Sequence, residues 1–281
     1  MPSFTVIAWL AYPFSAQAWS PGTGSPNAVD GFTVDASNRR DVLSFYQCVY
    51  NASEGFASNM AWTGDVSTCN AGTTSSSFKD DVRRRINFFR ALVGETGTIT
   101  FDATKSAKSQ ESALIMASND NLEHNPPTNW SCYTANGSQA AGAGNIALGN
   151  YGPAAVNAYM RDDGGGNEPV GHRRWLLYSR AQEMGTGDIP VTLGKSSANT
   201  IWVIGDFKSA PPARFTAWPN EGYIPFSLVP ARWSLSYPGA GFGSATVTAT
   251  QAGNPVTTTV ISRTQNGYGD NTIVWTDRRN F

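Results

Sequence analysis

The only two histidines of this 281-residue sequence, His124 and His172, are the side chains best suited to chemistry at neutral pH. His124 comes where a helical pattern stops. His172 lies in the segment 166–177, between a flexible glycine and two arginines. An imidazole at the end of an element reaches a surface cleft as easily as a core. We therefore expect the fold to bring the two rings together in one cleft.

The composition favours a secreted protein with no charged partner. Charged residues make up 15% of the chain, whereas about 25% is usual for a globular protein. A net charge of −1 produces no long-range field, so neither nucleic acid nor an anionic membrane is predicted as a partner. No segment beyond the N-terminus has the roughly 18 consecutive apolar residues of a spanning helix, so no membrane span is predicted.

The N-terminus has the pattern of a signal peptide. Residues 4–14 form an apolar run, and 16–18 (AQA) have the small-x-small form of a cleavage site. These features predict a signal peptide over 1–18, cleavage before Trp19 and an extracellular location. The run is interrupted by Pro13 and no Lys or Arg precedes it, so an ordinary N-terminal strand is the alternative.

Three cysteines permit one disulfide and leave one thiol. Cys69 and Cys132 lie in polar loops, whereas Cys48 lies in the apolar run 45–50. We predict a Cys69–Cys132 disulfide, with Cys48 buried as a small hydrophobic residue. A disulfide suits an oxidising compartment, which agrees with secretion.

Periodicity predicts helices in the first two thirds of the chain and strands after them. Ser77 is the expected N-cap of a helix with an apolar stripe at Val82, Ile86 and Phe89, and Asp102 is the expected N-cap of the next helix. Further helices are predicted over 41–51 and 153–162, and strands over 184–191, 200–207, 245–250, 256–262 and 272–275. This order predicts an α+β fold in layers.

The composition changes at Ala210, where the pattern becomes all β. We predict a signal peptide over 1–18, an N-terminal extension over 19–76, a main α+β domain over 77–209 and a small β-rich module over 210–281. The predicted strands of this module are fewer than the roughly seven of an immunoglobulin-type sandwich. An Ig-like or partial sandwich that leans on the main domain is therefore expected.

Four segments follow one another in the order INFFR at 86–90, LEHNP at 122–126, GNIA at 144–147 and GHRRWLL at 171–177, with MGTGD following at 184–188. In this consistent order they resemble the CAP superfamily of cysteine-rich secretory proteins, in particular its bacterial SCP-like branch. The resemblance implies a three-layer α-β-α sandwich. Residues 215–275 resemble the β appendix of some bacterial members, in which the sheet continues beyond the point where this sequence ends.

The resemblance also implies an open cleft lined by two histidines and two acidic residues. The histidines correspond to His124 and His172, and one acid corresponds to Asp162, which follows the aromatic Tyr159 at the family spacing. The second acid of the family precedes an Asn-Ile pair, and here Gly144 precedes Asn145. The expected ligand-binding set is therefore His124, Asp162, His172, Tyr159 and Asn145, without the second carboxylate.

Two imidazoles and a carboxylate form a donor set that zinc or another divalent metal accepts. Asp162 is the candidate third ligand, but no base for hydrolysis then remains, because we expect Glu123 to point away from its helical neighbour His124. The alternative is that both imidazoles serve only as hydrogen-bond partners. The resemblance implies a third option, a groove for a sterol or other small apolar ligand, which aromatic residues such as Tyr159 could line, although core packing explains most of these residues equally well.

Three functions follow from these features. The first is a secreted, non-enzymatic binding module for a small apolar ligand, a divalent metal or a surface protein. The second is a metal-dependent, peptidase-like hydrolase with His124, His172 and Asp162 as candidate catalytic residues. The third is a structural protein that self-assembles through an exposed β edge after Trp275. The loss of the acid at Gly144 favours binding over catalysis.

Overall fold

The computed structural model describes residues 5–7, 28–95, 97–192, 194–265 and 267–277. Except for residues 5–7, the predicted signal peptide and its cleavage site lie outside these ranges. The helices are α1 Arg39–Phe45, α2 Phe56–Asn59, α3 Ser76–Leu92, α4 Ala103–Asn119, α5 Ala135–Gly142, α6 Gly152–Arg161 and α7 Gly171–Leu176. The strands are β1 Thr5–Ile7, β2 Thr100–Phe101, β3 Gly144–Leu148, β4 Glu183–Ile189, β5 Ala198–Trp202, β6 Thr216–Trp218, β7 Arg232–Tyr237, β8 Thr248–Gln251, β9 Asn254–Val256, β10 Thr258–Thr264 and β11 Asn271–Asp277. The predicted α+β class is confirmed.

Helix α3 carries the predicted apolar stripe on its buried face. Val82, Ile86 and Phe89 are at most 2% exposed, because this face packs into the main hydrophobic core. The predicted N-cap Ser77 is wrong. Ser75 has the extended backbone of a cap, and its hydroxyl accepts a hydrogen bond from the Phe78 amide at 3.1 Å.

Helix α4 begins as predicted, and it ends at Asn119 rather than at Asn121, where the helical pattern of the sequence stops. The Asp102 carboxylate accepts a hydrogen bond from the Lys105 amide at 2.7 Å, which confirms this residue as the N-cap. The helix stops at Asn119 because Asp120 has a left-handed backbone, with φ of 44°. The segment that carries His124 is therefore a loop.

The first large sheet has the strand order β2-β4-β5-β3 and lies between two layers of helices. Strand β5 is antiparallel to both of its neighbours, β4 and β3, and β2 is parallel to β4. Helices α4 and α5 cover the face that includes Ile146, Ile189 and Ala198, and α3 and α6 pack on the side of Met184 and Ile201. The arrangement is the predicted α-β-α sandwich.

Two glycines in β4 allow α4 to approach the sheet closely. A Cβ atom on Gly187 would lie 2.1 Å from the backbone of Ser109 and Gln110, and one on Gly185 would lie 2.6 Å from the backbone of Lys105. These clashes involve backbone atoms, so no side-chain rotation relieves them. The glycines of the MGTGD segment therefore set the distance between helix and sheet.

The C-terminal part forms a four-stranded sheet, β10-β11-β7-β6, and a small sheet, β1-β8-β9. Strand β11 is paired on both sides, and Trp275 is 4% exposed. The predicted exposed edge after Trp275 is therefore wrong, since the sheet edges are β10 and β6. The side chains of a strand alternate between two faces. The four-stranded sheet therefore has one face that forms a core of its own and another that faces the main domain.

Trp218 of β6 joins the C-terminal sheet to the main core. It is 1% exposed and packs edge-on against Phe89 of α3, with ring centroids 5.3 Å apart. Buried aromatic pairs of this kind contribute more to stability than the area they bury would alone.

The division of the chain at 76/77 and 209/210 stays a prediction. Within the described ranges, no helix is long and apolar enough to cross a membrane.

Candidate functional site

The two histidines line the same cleft, whose volume is about 540 Å³. The cleft lies beside β3, between the loop after α4 and the connection from α6 to α7. Its lining residues are Leu122, Glu123, His124, Ile146, Ala147, Leu148, Asn150, Ala158, Tyr159, Arg161, Asp162, Asp163, Asn167 and His172. Four of the five predicted ligand-binding residues, His124, Tyr159, Asp162 and His172, are therefore together, as expected.

Asp162 and His172 form a hydrogen-bonded pair at the inner end of the cleft. The Nδ1 atom of His172 lies 2.7 Å from Oδ1 of Asp162, and Oδ2 accepts a hydrogen bond from the Arg173 amide at 3.2 Å. The Asp162 side chain is 0% exposed, whereas that of His172 is 24% exposed. Both carboxylate oxygens are thus occupied inside the protein, and the imidazole is the member of the pair that faces the cleft.

The backbone around this pair brings the two side chains together. Asp162 follows the last residue of α6 in a left-handed conformation, with φ of 53° and ψ of 46°. Val170 has the same left-handed backbone immediately before α7, which begins at Gly171. Left-handed backbone is costly for residues other than glycine, and such strain is often found at functional sites.

Tyr159 forms a wall of the cleft beside His172. The two rings are stacked, with centroids 5.2 Å apart and an interplanar angle of 26°. The Tyr159 hydroxyl donates a hydrogen bond to Oδ1 of Asn199 at 2.8 Å. Burial raises the pKa of Tyr159 well above its usual value, and the negative charges of Asp188 and Asp162 add to the effect. This phenol is therefore a neutral packing surface and is not a base.

His124 is held by the end of α5. Its Nδ1 atom lies 2.7 Å from the carbonyl oxygen of Ala141. Since a carbonyl oxygen only accepts, Nδ1 must carry the proton.

The loop that follows His124 is held by the Cys69–Cys132 disulfide, which confirms the predicted pairing. Cys48 is the free thiol, but it is half-buried rather than buried.

Glu123 lines the cleft, contrary to the expectation that it points away from His124. The expectation assumed a helix at this position, whereas α4 ends at Asn119. Neighbouring residues of a loop can face the same side, so the helical spacing rule does not apply. Its carboxylate accepts a hydrogen bond from the Asn125 amide at 3.2 Å.

Asn145 and Gly144 lie beneath the cleft rather than in its lining. Asn145 is 2% exposed, and its side-chain amide donates to the carbonyl oxygen of His172 at 3.0 Å. It therefore positions the histidine from below. A Cβ atom on Gly144 would lie 2.8 Å from the Ala140 carbonyl oxygen and 2.9 Å from that of Ile201. The acid that the resemblance places here would not fit without a backbone shift.

A buried polar network that the sequence analysis missed supports the site from behind. Asp188 of β4 is 0% exposed, and its Oδ1 accepts hydrogen bonds from the Gly152 amide at 2.6 Å and from Nδ2 of Asn199 at 2.7 Å. Its Oδ2 accepts from the Thr186 hydroxyl at 2.8 Å. Burial raises the pKa of Asp188 to about 6, against the opposing effect of these hydrogen bonds. The signal in the sequence was the lone acid of MGTGD, in a strand that is otherwise uncharged after Glu183.

The chain thus combines an α-β-α sandwich with an open cleft lined by two histidines and one acid. Residues 84–206 match the model of the cysteine-rich secretory protein family, CAP, so this part of the chain is a CAP domain. The resemblance to the CAP superfamily is thereby confirmed for these residues. No curated protein matches the chain.

Proposed function

We propose that the chain is a secreted, non-enzymatic CAP-domain binding module whose cleft binds a divalent metal of the zinc type through Nε2 of His124 and of His172. One observation carries the proposal. Each ring uses Nδ1 in a hydrogen bond to an oxygen acceptor, the Ala141 carbonyl at 2.7 Å or the Asp162 carboxylate at 2.7 Å. Secretion is supported by the disulfide and by the low charged fraction of 15%.

The hydrogen bonds prepare both rings as metal ligands. When Nδ1 of a neutral imidazole carries the proton, the lone pair lies on Nε2. Metal-binding histidines usually donate their other N–H to a carboxylate or a backbone carbonyl, which fixes the ring and raises the basicity of the free nitrogen. His124 has the carbonyl form of this support and His172 has the carboxylate form.

The donor set fits a weak, open site rather than a closed structural one. Among the residues that the structure describes, no group of three or more His, Cys, Asp or Glu side chains is placed to hold a metal. A structural zinc site has about four protein ligands and a catalytic one has about three. A metal held by two imidazoles would have its other positions filled by water or by oxygen atoms of a ligand.

Asp162 does not complete a catalytic ligand set. Its carboxylate is 0% exposed, and both oxygens are engaged by His172 and by the Arg173 amide. A metal-dependent hydrolase uses metal-bound water as its nucleophile and holds the metal by about three protein ligands, whereas the described part of the cleft offers the two imidazoles. Binding is thus better supported than the alternative hydrolase built on His124, His172 and Asp162.

A small ligand with an apolar part is the second candidate occupant. One wall of the cleft is formed by apolar side chains, among them Leu122, Ile146 and Leu148, and Leu122 is 40% exposed. An apolar wall with a few polar groups opposite it is typical of small-molecule sites. Such a ligand would place its apolar part on this wall and its polar end at the imidazoles.

Zinc titration by calorimetry tests the proposal. We expect one zinc ion per wild-type chain, and a loss of affinity of about tenfold or more in His124→Ala and in His172→Ala. Asn150→Ala is the matched control, because Asn150 lines the cleft but has no imidazole nitrogen that could bind zinc. This variant should bind zinc like the wild type. Because the chain has two histidines, the double variant has no imidazole and gives the background of the measurement.

Two results would contradict the proposed function. Equal zinc affinity of the wild type and the double variant would show that the histidines are not the ligands. Zinc-dependent peptide hydrolysis by the wild type that disappears in His172→Ala would favour the hydrolase. Folding of each variant is checked by circular dichroism, so that a lost signal is not confused with an unfolded chain.

A further inference from the structure

The C-terminus of α6, next to the cleft, is capped by two arginines. Arg173 donates to the carbonyl oxygens of Met160 at 2.7 Å and Arg161 at 2.8 Å. Arg232 of β7 donates to the carbonyl oxygen of Asp162 at 2.6 Å and to that of Gly164 at 2.6 Å. The last carbonyls of a helix have no partner within the helix, and a cation at this end also suits the helix dipole. One of the two capping residues belongs to the C-terminal sheet.

The two arginines are also connected to each other. Nη1 of Arg173 donates to the carbonyl oxygen of Arg232 at 2.8 Å and to the hydroxyl of Ser234 at 3.1 Å. Arg173 is 1% exposed, and burial lowers its pKa to about 10, which still leaves the guanidinium charged at neutral pH. A buried cation needs such partners, so this contact joins β7 firmly to the residue that follows His172.

Helix α7 has a second contact with the C-terminal sheet. Arg174 donates to the carbonyl oxygen of Asp270 at 2.9 Å, and the Asp270 carboxylate accepts from the Ser179 amide at 3.2 Å. A Cβ atom on Gly269 would lie 2.9 Å from the Arg174 carbonyl oxygen, so the turn before β11 sits directly on the helix. Both arginines of the GHRRW segment thus bind the β module.

We propose that Arg232 is a positioning residue for the cleft, through which the C-terminal sheet sets the orientation of His172. The residue between them is Asp162, whose left-handed backbone is unfavourable without support. The Arg232 guanidinium donates to the carbonyl oxygen of Asp162, and the Asp162 carboxylate accepts from Nδ1 of His172. Without the Arg232 guanidinium, the left-handed turn at Asp162 relaxes. The Asp162 carboxylate then moves out of hydrogen-bonding position beside the His172 ring.

The two histidines allow a direct test by nuclear magnetic resonance of the imidazole nitrogens. The spectrum contains one set of signals for His124 and one for His172, which His124→Ala assigns. In the wild type we expect both rings to show a protonated Nδ1. In Arg232→Ala the His172 signals should shift and lose this signature, while those of His124 stay in place, because His124 is held by Ala141 instead.

The control is Arg263→Ala, which removes another arginine of the same sheet. Arg263 is exposed and donates to the carbonyl oxygen of Ala245 at 3.0 Å, within the C-terminal part of the chain. Both sets of imidazole signals should remain as in the wild type. Arg232→Lys keeps the charge but lacks the planar fork whose two nitrogens reach the carbonyls of Asp162 and Gly164, so its effect on His172 should lie between those of the wild type and Arg232→Ala.

Zinc affinity gives a second measurement, which rests on the proposed function. We expect Arg232→Ala to bind zinc about tenfold more weakly, as for other residues that orient a metal ligand, and Arg263→Ala to bind normally. Unchanged His172 signals in Arg232→Ala would overturn the inference, whatever the zinc affinity of that variant. A wild type that binds no zinc would refute the proposed function alone, since the imidazole signals test the positioning without metal. If Arg232→Ala does not fold, unchanged His172 signals in Arg232→Lys overturn the inference.

Discussion

Asp188 should make the stability of the protein depend on pH in a way that one substitution removes. Its carboxyl group is fully buried behind the cleft, and burial raises its pKa from the ordinary 3.8 to about 6. The folded protein therefore binds this proton more tightly than the unfolded chain does. Protonation of Asp188 therefore adds its full contribution to the free energy of unfolding below a pH of about 4. This contribution is lost as the pH rises through about 6.

The magnitude follows from the two pKa values. They differ by about two pH units, and each unit corresponds to about 1.4 kcal/mol. The free energy of unfolding should therefore fall by about 3 kcal/mol between pH 4 and pH 7.5 because of this group. Asp188→Asn cannot titrate and resembles the protonated acid. Its Oδ1 can still accept from Gly152 and Asn199, and its amide can donate to Thr186, whose hydroxyl rotates to accept.

Urea unfolding at four pH values from 4 to 7.5 measures this effect. The variant should match the wild type at pH 4 and exceed its free energy of unfolding by up to about 3 kcal/mol at pH 7.5. Asp163→Asn makes the same change in net charge at a half-exposed carboxylate and controls for it. A pH dependence of Asp188→Asn equal to that of the wild type would refute the assignment, as would a variant that is less stable at pH 7.5.

Two further predictions concern the packing of α4 and the loop that carries His124. Gly187→Ala should lower the free energy of unfolding by about 3 kcal/mol, because the new methyl group meets the α4 backbone at 2.1 Å. Gly165→Ala, with no atom within 4 Å, should change it little, and equal effects in a urea titration would contradict the close packing. Replacing both Cys69 and Cys132 by alanine opens a loop of 63 residues and should cost about 4 kcal/mol. Cys48→Ala is the control, and a cost below about 1 kcal/mol for the double variant would contradict the estimate.

Regular helices with long apolar stripes could be predicted from the sequence. Val82, Ile86 and Phe89 predict α3 because their spacing matches one face of a helix, and the structure confirms it. Helices α5 and α7 were not predicted. The first consists of small and polar residues, and the second has six residues with arginines turned inward, so neither has an apolar stripe. Their position is fixed by tertiary contacts rather than by local pattern.

The histidines of the site could be predicted, but their supports could not. A resemblance of four short segments was sufficient to place His124, Asp162 and His172 around one cleft. The hydrogen bonds of Asp188 to Gly152 and Asn199 join three elements that are distant in sequence. No periodicity reports such contacts. The error at Glu123 has a local cause, because α4 ends at Asn119 and Glu123 therefore lies in a loop and not at a helix end.

The placement of the two arginines after His172 has a practical consequence for anyone who shortens this chain. Ending it at residue 209 would remove the carbonyl groups of Arg232 and Asp270, which accept from Arg173 and Arg174. Arg173 would then keep only the carbonyl oxygens of Met160 and Arg161, Arg174 would lose that of Asp270, and the α6 terminus would lose the part of its cap that Arg232 provides. The excised CAP domain would thus be a poor substitute for the intact protein in any ligand screen, even where it stays folded.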